Sequence, residues 1–300
     1  YELFELNAKA MRAFAQSNEQ ATFELRIRLG SAHDWDIVLQ PAKVHGNDFR
    51  FILSTGEEVN VEKNITYQGY LKNDPATKVR MTISDNYVHG QILDAEQHVF
   101  ETVNRTPMRS ANDLVVVYTN NAINTKSPAC GHVSAATDTK EKGASDVLPP
   151  MFSDKTPAGL SLQSAVSSST AQMQANNTYC PKLSITLDWQ GLAKAGTVAN
   201  FNEDIQTILN IVNGYYDDFS VQYELNPVFV IPASPNPWQD ESPGNHSTLV
   251  NNFSQWAFPN LTPKNYNCAL LFTGTDMNGI GYAYYGHMCT DDDHRYGEID

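Results

Sequence analysis

Basic residues are scarce in this chain of 300: 20 Lys and Arg face 34 Asp and Glu, a net charge of −14. The pI is near 4.9. So acidic a surface, without a basic patch, argues against nucleic acid and anionic membranes as partners. Long apolar runs are missing too, and no stretch approaches the roughly 18 residues of a membrane span. Cysteine is rare. Four residues do not make a disulfide-dense scaffold, though they allow one or two bridges in an oxidising compartment. Catalytic signatures are also absent: there is no G-x-S-x-G, no Walker A loop and no G-x-G-x-x-G. The eight histidines are His33, His45, His89, His98, His132, His246, His287 and His294. No two lie four apart, so H-E-x-x-H is missing as well.

What is present divides into three parts. Residues 1–125 read as β-rich. "FELRIRL" alternates apolar and charged residues as a half-buried strand does, and "WDIVLQ", "FRFILS", "HVFETV" and "DLVVVY" add further strands. "KVRMTISDNYVHGQILD" reads as a hairpin around Asp85-Asn86. Only the first fifteen or so residues hint at a helix, and an antiparallel β domain is the natural packing. Residues 126–179 are dominated by Ser, Thr, Ala, Gln and Pro, with Phe152 the one aromatic between residues 134 and 178. Such a segment buries too little apolar area to offset its ordering entropy, so it reads as an exposed, protease-sensitive linker.

From residue 180 strands and helices alternate, which predicts an α/β layer with a mainly parallel sheet. The clearest helix is "NFNEDIQTILNIVNGYYDDFS". Phe201, Ile205, Ile208, Val212, Tyr215 and Phe219 form one apolar stripe, and Asn200 with Glu203 resembles a capping box. "VQYELNPVFVIP" is a strand interrupted at Asn226-Pro227. "STLVNNFSQWAF" is a shorter helix stopped by Pro259. Six N-x-[ST] sequons, at Asn64, Asn104, Asn176, Asn245, Asn252 and Asn260, fit export, although a chain rich in Asn, Ser and Thr generates such triplets by chance. The chain starts at Tyr1 and stops at "RYGEID", and both ends read as processed or cut.

Three features bear on chemistry. Cys130, in "PACGH", is a disulfide half, an inert thiol, or a zinc ligand whose following Gly lets the backbone approach a metal. "GHMCTDDDH" mixes His287, Cys289, three aspartates and His294. Calcium would use Asp291, Asp292 and Asp293 without the thiol, zinc would use His and Cys without three aspartates, and a solvated acidic loop uses neither. "GIGYAYYG" is either an ordinary strand with a glycine bulge or an edge strand that takes up an extended peptide.

The order of these pieces resembles the secreted zinc metalloproteases of the reprolysin/adamalysin (ADAM-like) branch of the metzincins, in zymogen form. "ITYQGYLKNDPATKVRMTISDNYVHGQI" resembles the family's propeptide, "PACGHV" its short Cys-Gly inhibitory motif, and "ALLFTGTDMNGIGYAYYGHMCT" the segment upstream of its zinc helix. The resemblance implies an α+β chain: a β-rich propeptide-like domain over 1–125, the switch and linker over 126–179, and over 180–300 an incomplete three-layer half-domain with a mixed, mainly parallel sheet. Cys130 would ligate the catalytic zinc and displace the attacking water. Gly281, Tyr282 and Ala283 would lie on the strand that pairs with substrate. Cys289 would be a half-cystine with a partner further along, leaving Cys180 and Cys268 to pair with each other. The H-E-x-x-H helix would follow residue 300, so the chain as given should be inactive alone. No Arg-rich processing site precedes the linker, which offers Lys140, Lys142 and Lys155 to an activating protease.

The leading expectation is thus a secreted, latent zinc endopeptidase acting on proteins or peptides. The alternative is a non-enzymatic peptidase-like module binding extended peptides at "GIGYAYYG". A weaker third is a calcium loop at Asp291–Asp293.

Overall fold

Among the described residues, two eight-stranded sheets share one long helix, which packs against both. The computed structural model describes residues 2–18, 21–103, 114–119, 131–133, 178–238, 245–262, 265–276, 281–284 and 296–299. Along the chain run β1 (Glu2–Glu5), α1 (Ala8–Ser17), β2 (Phe23–Leu29), β3 (His33–Pro41), β4 (Phe51–Leu53), β5 (Glu58–Val59), β6 (Thr66–Leu71), β7 (Asp74–Ile83), β8 (Val88–Ile92), β9 (His98–Thr102) and β10 (Leu114–Thr119). There follow β11 (Gly131–Val133), β12 (Lys182–Leu187), α2 (Trp189–Ala195), α3 (Val198–Tyr216), β13 (Glu224–Val230), α4 (His246–Asn260), β14 (Cys268–Phe272), β15 (Tyr282–Tyr284) and β16 (Tyr296–Ile299). Among the described residues no helix is long and apolar enough to cross a membrane.

The first sheet is antiparallel throughout, in the order β1-β10-β9-β8-β7-β6-β3-β2. Except for β1, which forms where the opening residues hinted at a helix that in fact starts at Ala8, its strands form where the alternation predicts. Phe23, Ile27 and Leu29 of β2 are buried, while Arg26 and Arg28 point outward to Asp34 at 2.7 and 3.1 Å. The expected hairpin is present, with Ile83 opposite Val88. Gly90 is required there: a Cβ would sit 2.0 Å from the Phe100 ring that lies across it. Helix α1 covers one face with Ala8, Met11 and Ala15. Its buried Arg12 is matched by Glu62 at 2.6 Å and the Tyr67 hydroxyl at 2.8 Å, because an unpaired buried charge would be strongly destabilising.

The second sheet runs β11-β15-β16-β14-β12-β13-β4-β5. Strand β12 pairs in parallel with β13 and β14, β14 with β16, β13 with β4 and β11 with β15; β15–β16 and β4–β5 are antiparallel. It is therefore mixed and mainly parallel, as expected. Phe51–Leu53 departs from expectation. It joins this second sheet instead of the antiparallel one, because its side chains complete the apolar layer over β12 and β13. The Asn226-Pro227 interruption is a bulge within β13, with Leu183 opposite Leu225 and Ile185 opposite Val228. Pro227 cannot donate to a ladder, and its carbonyl accepts from Ser184 Oγ at 2.8 Å.

Helix α3 corrects two further expectations. Its cap is Thr197, whose side chain accepts from the Asn200 amide at 3.0 Å, so Asn200 and Glu203 are not the capping pair. The predicted stripe is also only half buried: Phe201 and Ile205 are inside, whereas Ile208, Tyr215 and Phe219 are exposed. The second buried side is polar, formed by Asn202, Gln206, Asn210 and Asn213. Helix α4 runs through Pro259 to Asn260 instead of stopping before it.

Candidate functional site

The second sheet ends at β11, and β15, expected as an edge strand, lies one strand in, held between β16 on one side and β11 on the other. The sequence reading singled out Gly281, Tyr282 and Ala283 for this strand. Gly281 and Tyr282 are half-buried and Ala283 is exposed. The close approach that Gly281 permits is made by β16: a Cβ there would stand 3.2 Å from the Glu298 carbonyl oxygen.

The other flank is filled by the chain itself. Gly131, His132 and Val133 lie opposite Tyr282, Ala283 and Tyr284 in parallel register. The segment that follows Cys130 thus occupies the flank of β15 that β16 leaves open. A strand edge presents unpaired N–H and C=O groups at fixed spacing, so any extended backbone can pair with it.

Beneath β15 lies a polar tie that the sequence reading missed. His246, the first residue of α4, donates from Nδ1 to Glu298 Oε1 at 2.5 Å, and the Glu298 side chain is fully buried. The His246 ring stacks on Tyr282 at 5.9 Å with an interplanar angle of 25°. Helix α4, β16 and β15 are thereby held together around one carboxylate. Burial pushes the Tyr282 hydroxyl above its ordinary pKa. A signal for Glu298 existed in the sequence. The period of 2 in "YGEI" places it on the same face as Tyr296, which is 1% exposed. His246 has no such signal, because it reaches Glu298 across 52 positions of sequence.

Another buried carboxylate stands at the same, C-terminal, ends of the strands, since Glu298 is level with Leu271 and the Asp188 amide donates to Phe272 O. Asp188 caps α2 by accepting from the Gly191 amide at 2.6 Å, and it accepts from Thr273 Oγ1 at 2.5 Å and the Gly274 amide at 3.0 Å. This ties the exit of β12 to the exit of β14. A separate cleft of about 270 Å³ lies on the seam between the first sheet and α3, lined in part by Lys78, Gln97, Tyr215 and Asp218.

Cys130, Cys289 and the whole of "GHMCTDDDH" lie outside the described residues, as does most of 126–179. Cys180 is exposed, its thiol donating to the Thr178 carbonyl at 3.8 Å. Cys268 is half-buried at the start of β14, opposite Leu183. Among the described residues no three His, Cys, Asp or Glu side chains converge as metal donors. The described residues by themselves offer no zinc site.

A mixed, mainly parallel sheet is thus joined through one helix to an antiparallel sheet. The chain is similar in structure to metalloproteinase-II from Bacteroides fragilis, with a TM-score of 0.51, 7% sequence identity, and coverage of 98% of this chain and 80% of that one. The likeness spans both sheets and is one of fold. No family model matches the chain, and no curated protein matches it in sequence.

Proposed function

We propose that the chain carries the latent N-terminal portion of a secreted zinc endopeptidase of the reprolysin/adamalysin kind. Residues 1–125 would be the inhibitory part, 126–179 the Cys-Gly switch and cleavable linker, and 180–300 the N-terminal half of the peptidase domain. The water-activating motif lies C-terminal to residue 300 on this reading. The observation that carries it is the parallel pairing of Gly131–Val133 with Tyr282–Tyr284. An edge suited to an extended substrate is taken by the residues directly after the one cysteine suited to a zinc ligand. A bound zinc would supply an activated water for peptide hydrolysis. The chain's own contribution is to hold that edge closed, with Cys130 available to fill the open metal position. The metalloproteinase-like fold supports the same reading. An off-chain partner for Cys289 belongs to it, whereas Cys180 and Cys268, expected as a pair, are not joined to each other in the structure.

The test uses the zymogen that includes the residues after Asp300. Cleavage within 134–177 is expected to release chelator-sensitive hydrolysis of an unstructured peptide, and Cys130→Ala to raise the basal rate before cleavage. No chelator-sensitive hydrolysis under either condition overturns the reading.

A second reading rests on the same edge. Strand β15 accepts an extended segment by main-chain pairing, so a peptide-binding module without catalysis would use the same surface. Peptide binding that persists in chelator, with no turnover, would favour it.

A further inference from the structure

The second sheet is closed at its other end by the segment before residue 125, and by much stronger contacts than those of β11. Strand β11 offers a three-residue pairing to β15. At the far edge, residues 44–54 follow β13 closely. Leu225 N donates to Val44 O at 2.8 Å, Gly46 N to Leu225 O at 2.6 Å, Val228 N to Arg50 O at 2.9 Å and Ser54 N to Val230 O at 2.9 Å. Val44 and Phe51 are completely buried and Phe49 is 5% exposed. All three belong to the same apolar cluster as Leu183, Ile185, Phe201 and Ile205. Phe51 meets Phe201 edge-on at 6.4 Å. Lys43 pairs with Glu224 at 2.6 Å, and Asn265 donates to Asp48 at 2.7 Å. Removing this segment would bare the β13 edge and the apolar face of α3 together, a surface prone to aggregation.

We propose that residues 42–61 are a permanent complement to the second sheet, so that a chain cut within 134–177 persists as a two-chain protein. Only the β11 edge then opens to an incoming strand. The occupant of the β13 edge is this chain's own β4–β5 pair, before and after cutting. The proposal concerns the edge opposite β15, and it stands whether or not the peptidase reading does.

The experiment inserts a site-specific protease recognition sequence between Lys142 and Gly143 of the full chain. After cutting, both fragments are expected to elute as one species with the mass of the uncut protein, and to separate only in denaturant. Phe51→Ala should weaken their association on the order of a hundredfold, as expected for truncating a buried aromatic. Arg80→Ala is the comparison, because Arg80 bonds to Asp217 at the end of α3, away from β13. The amide of Val228, which donates to Arg50, should stay protected from hydrogen exchange after cutting. Fragments that part in native buffer overturn the proposal. So does a Phe51→Ala pair as tight as wild type while the Arg80→Ala pair falls apart. If Phe51→Ala does not fold, wild-type co-elution and Val228 protection decide, and rapid exchange there refutes it. A cut protein without peptidase activity that still elutes as one species would sink the peptidase reading and leave this one standing.

Discussion

At the scale of single residues, the structure is organised by polar groups buried with partners, together with one buried histidine. His89 in β8 is 8% exposed, and burial lowers its pKa from 6.5 to about 4. The unfolded chain takes up a proton near pH 6.5, and the folded chain takes it up only near pH 4. Stability is therefore intact above pH 6.5 and falls as the pH drops toward 4, by on the order of 3 kcal/mol. Urea midpoints at pH 7 and pH 4.5 should show this loss, and His89→Gln should remove most of it. An equal loss in the variant would assign the acid sensitivity to other groups. Glu298 and Asp188 show how far such residues were legible. Alternation in "YGEI" pointed Glu298 inward, whereas nothing local announces that Asp188 receives Thr273 and Gly274 from another strand.

At the scale of elements, α3 departs most from its sequence pattern. Its apolar residues suggest one stripe, but the helix has two buried faces. Phe201, Ile205 and Leu209 pack on the second sheet. The polar face bonds to the first sheet and the stretch before it: Asn202 and Gln206 donate to Glu62 O at 2.8 and 3.0 Å, Asn210 to Tyr67 O and Met81 O at 3.1 and 3.0 Å, and Thr207 Oγ1 to Thr82 Oγ1 at 2.9 Å. Gly214 leaves room for Arg80, whose Nε would stand 2.8 Å from a Cβ placed there. Burial lowers the Arg80 pKa, and the Asp217 carboxylate opposes that effect. Asn210→Ala is accordingly expected to cost about 1–3 kcal/mol, because two strand carbonyls lose a donor. Ile208→Ala, on the exposed side, should stay within about 0.5 kcal/mol. Denaturant unfolding of the two variants checks the order, which a single apolar stripe would reverse. Amphipathicity locates faces that pack against hydrocarbon. It says nothing about a polar face whose partners are main-chain groups far away in sequence.

At the scale of the whole molecule, the N-terminal part and the second sheet are interleaved. The first contributes β4–β5 to one end of the second sheet, the stretch after it contributes β11 to the other, and α3 serves both sheets. Shared elements couple the stability of the parts. Calorimetry of the uncut chain should therefore give one cooperative transition, and two well-separated transitions would show that the parts unfold independently. The sequence by itself determined the local periods: most of the antiparallel strands over 23–119 and the change to alternating strands and helices after 180. These follow from the spacing of apolar residues along a few turns or strands, which is local information. Only the tertiary structure decided that Phe51–Leu53 crosses to the other sheet, that Gly131–Val133 lies along Tyr282–Tyr284, and that the polar side of α3 is an interface. Each of these choices joins segments widely separated in sequence, and each depends on which buried surface a strand or helix completes.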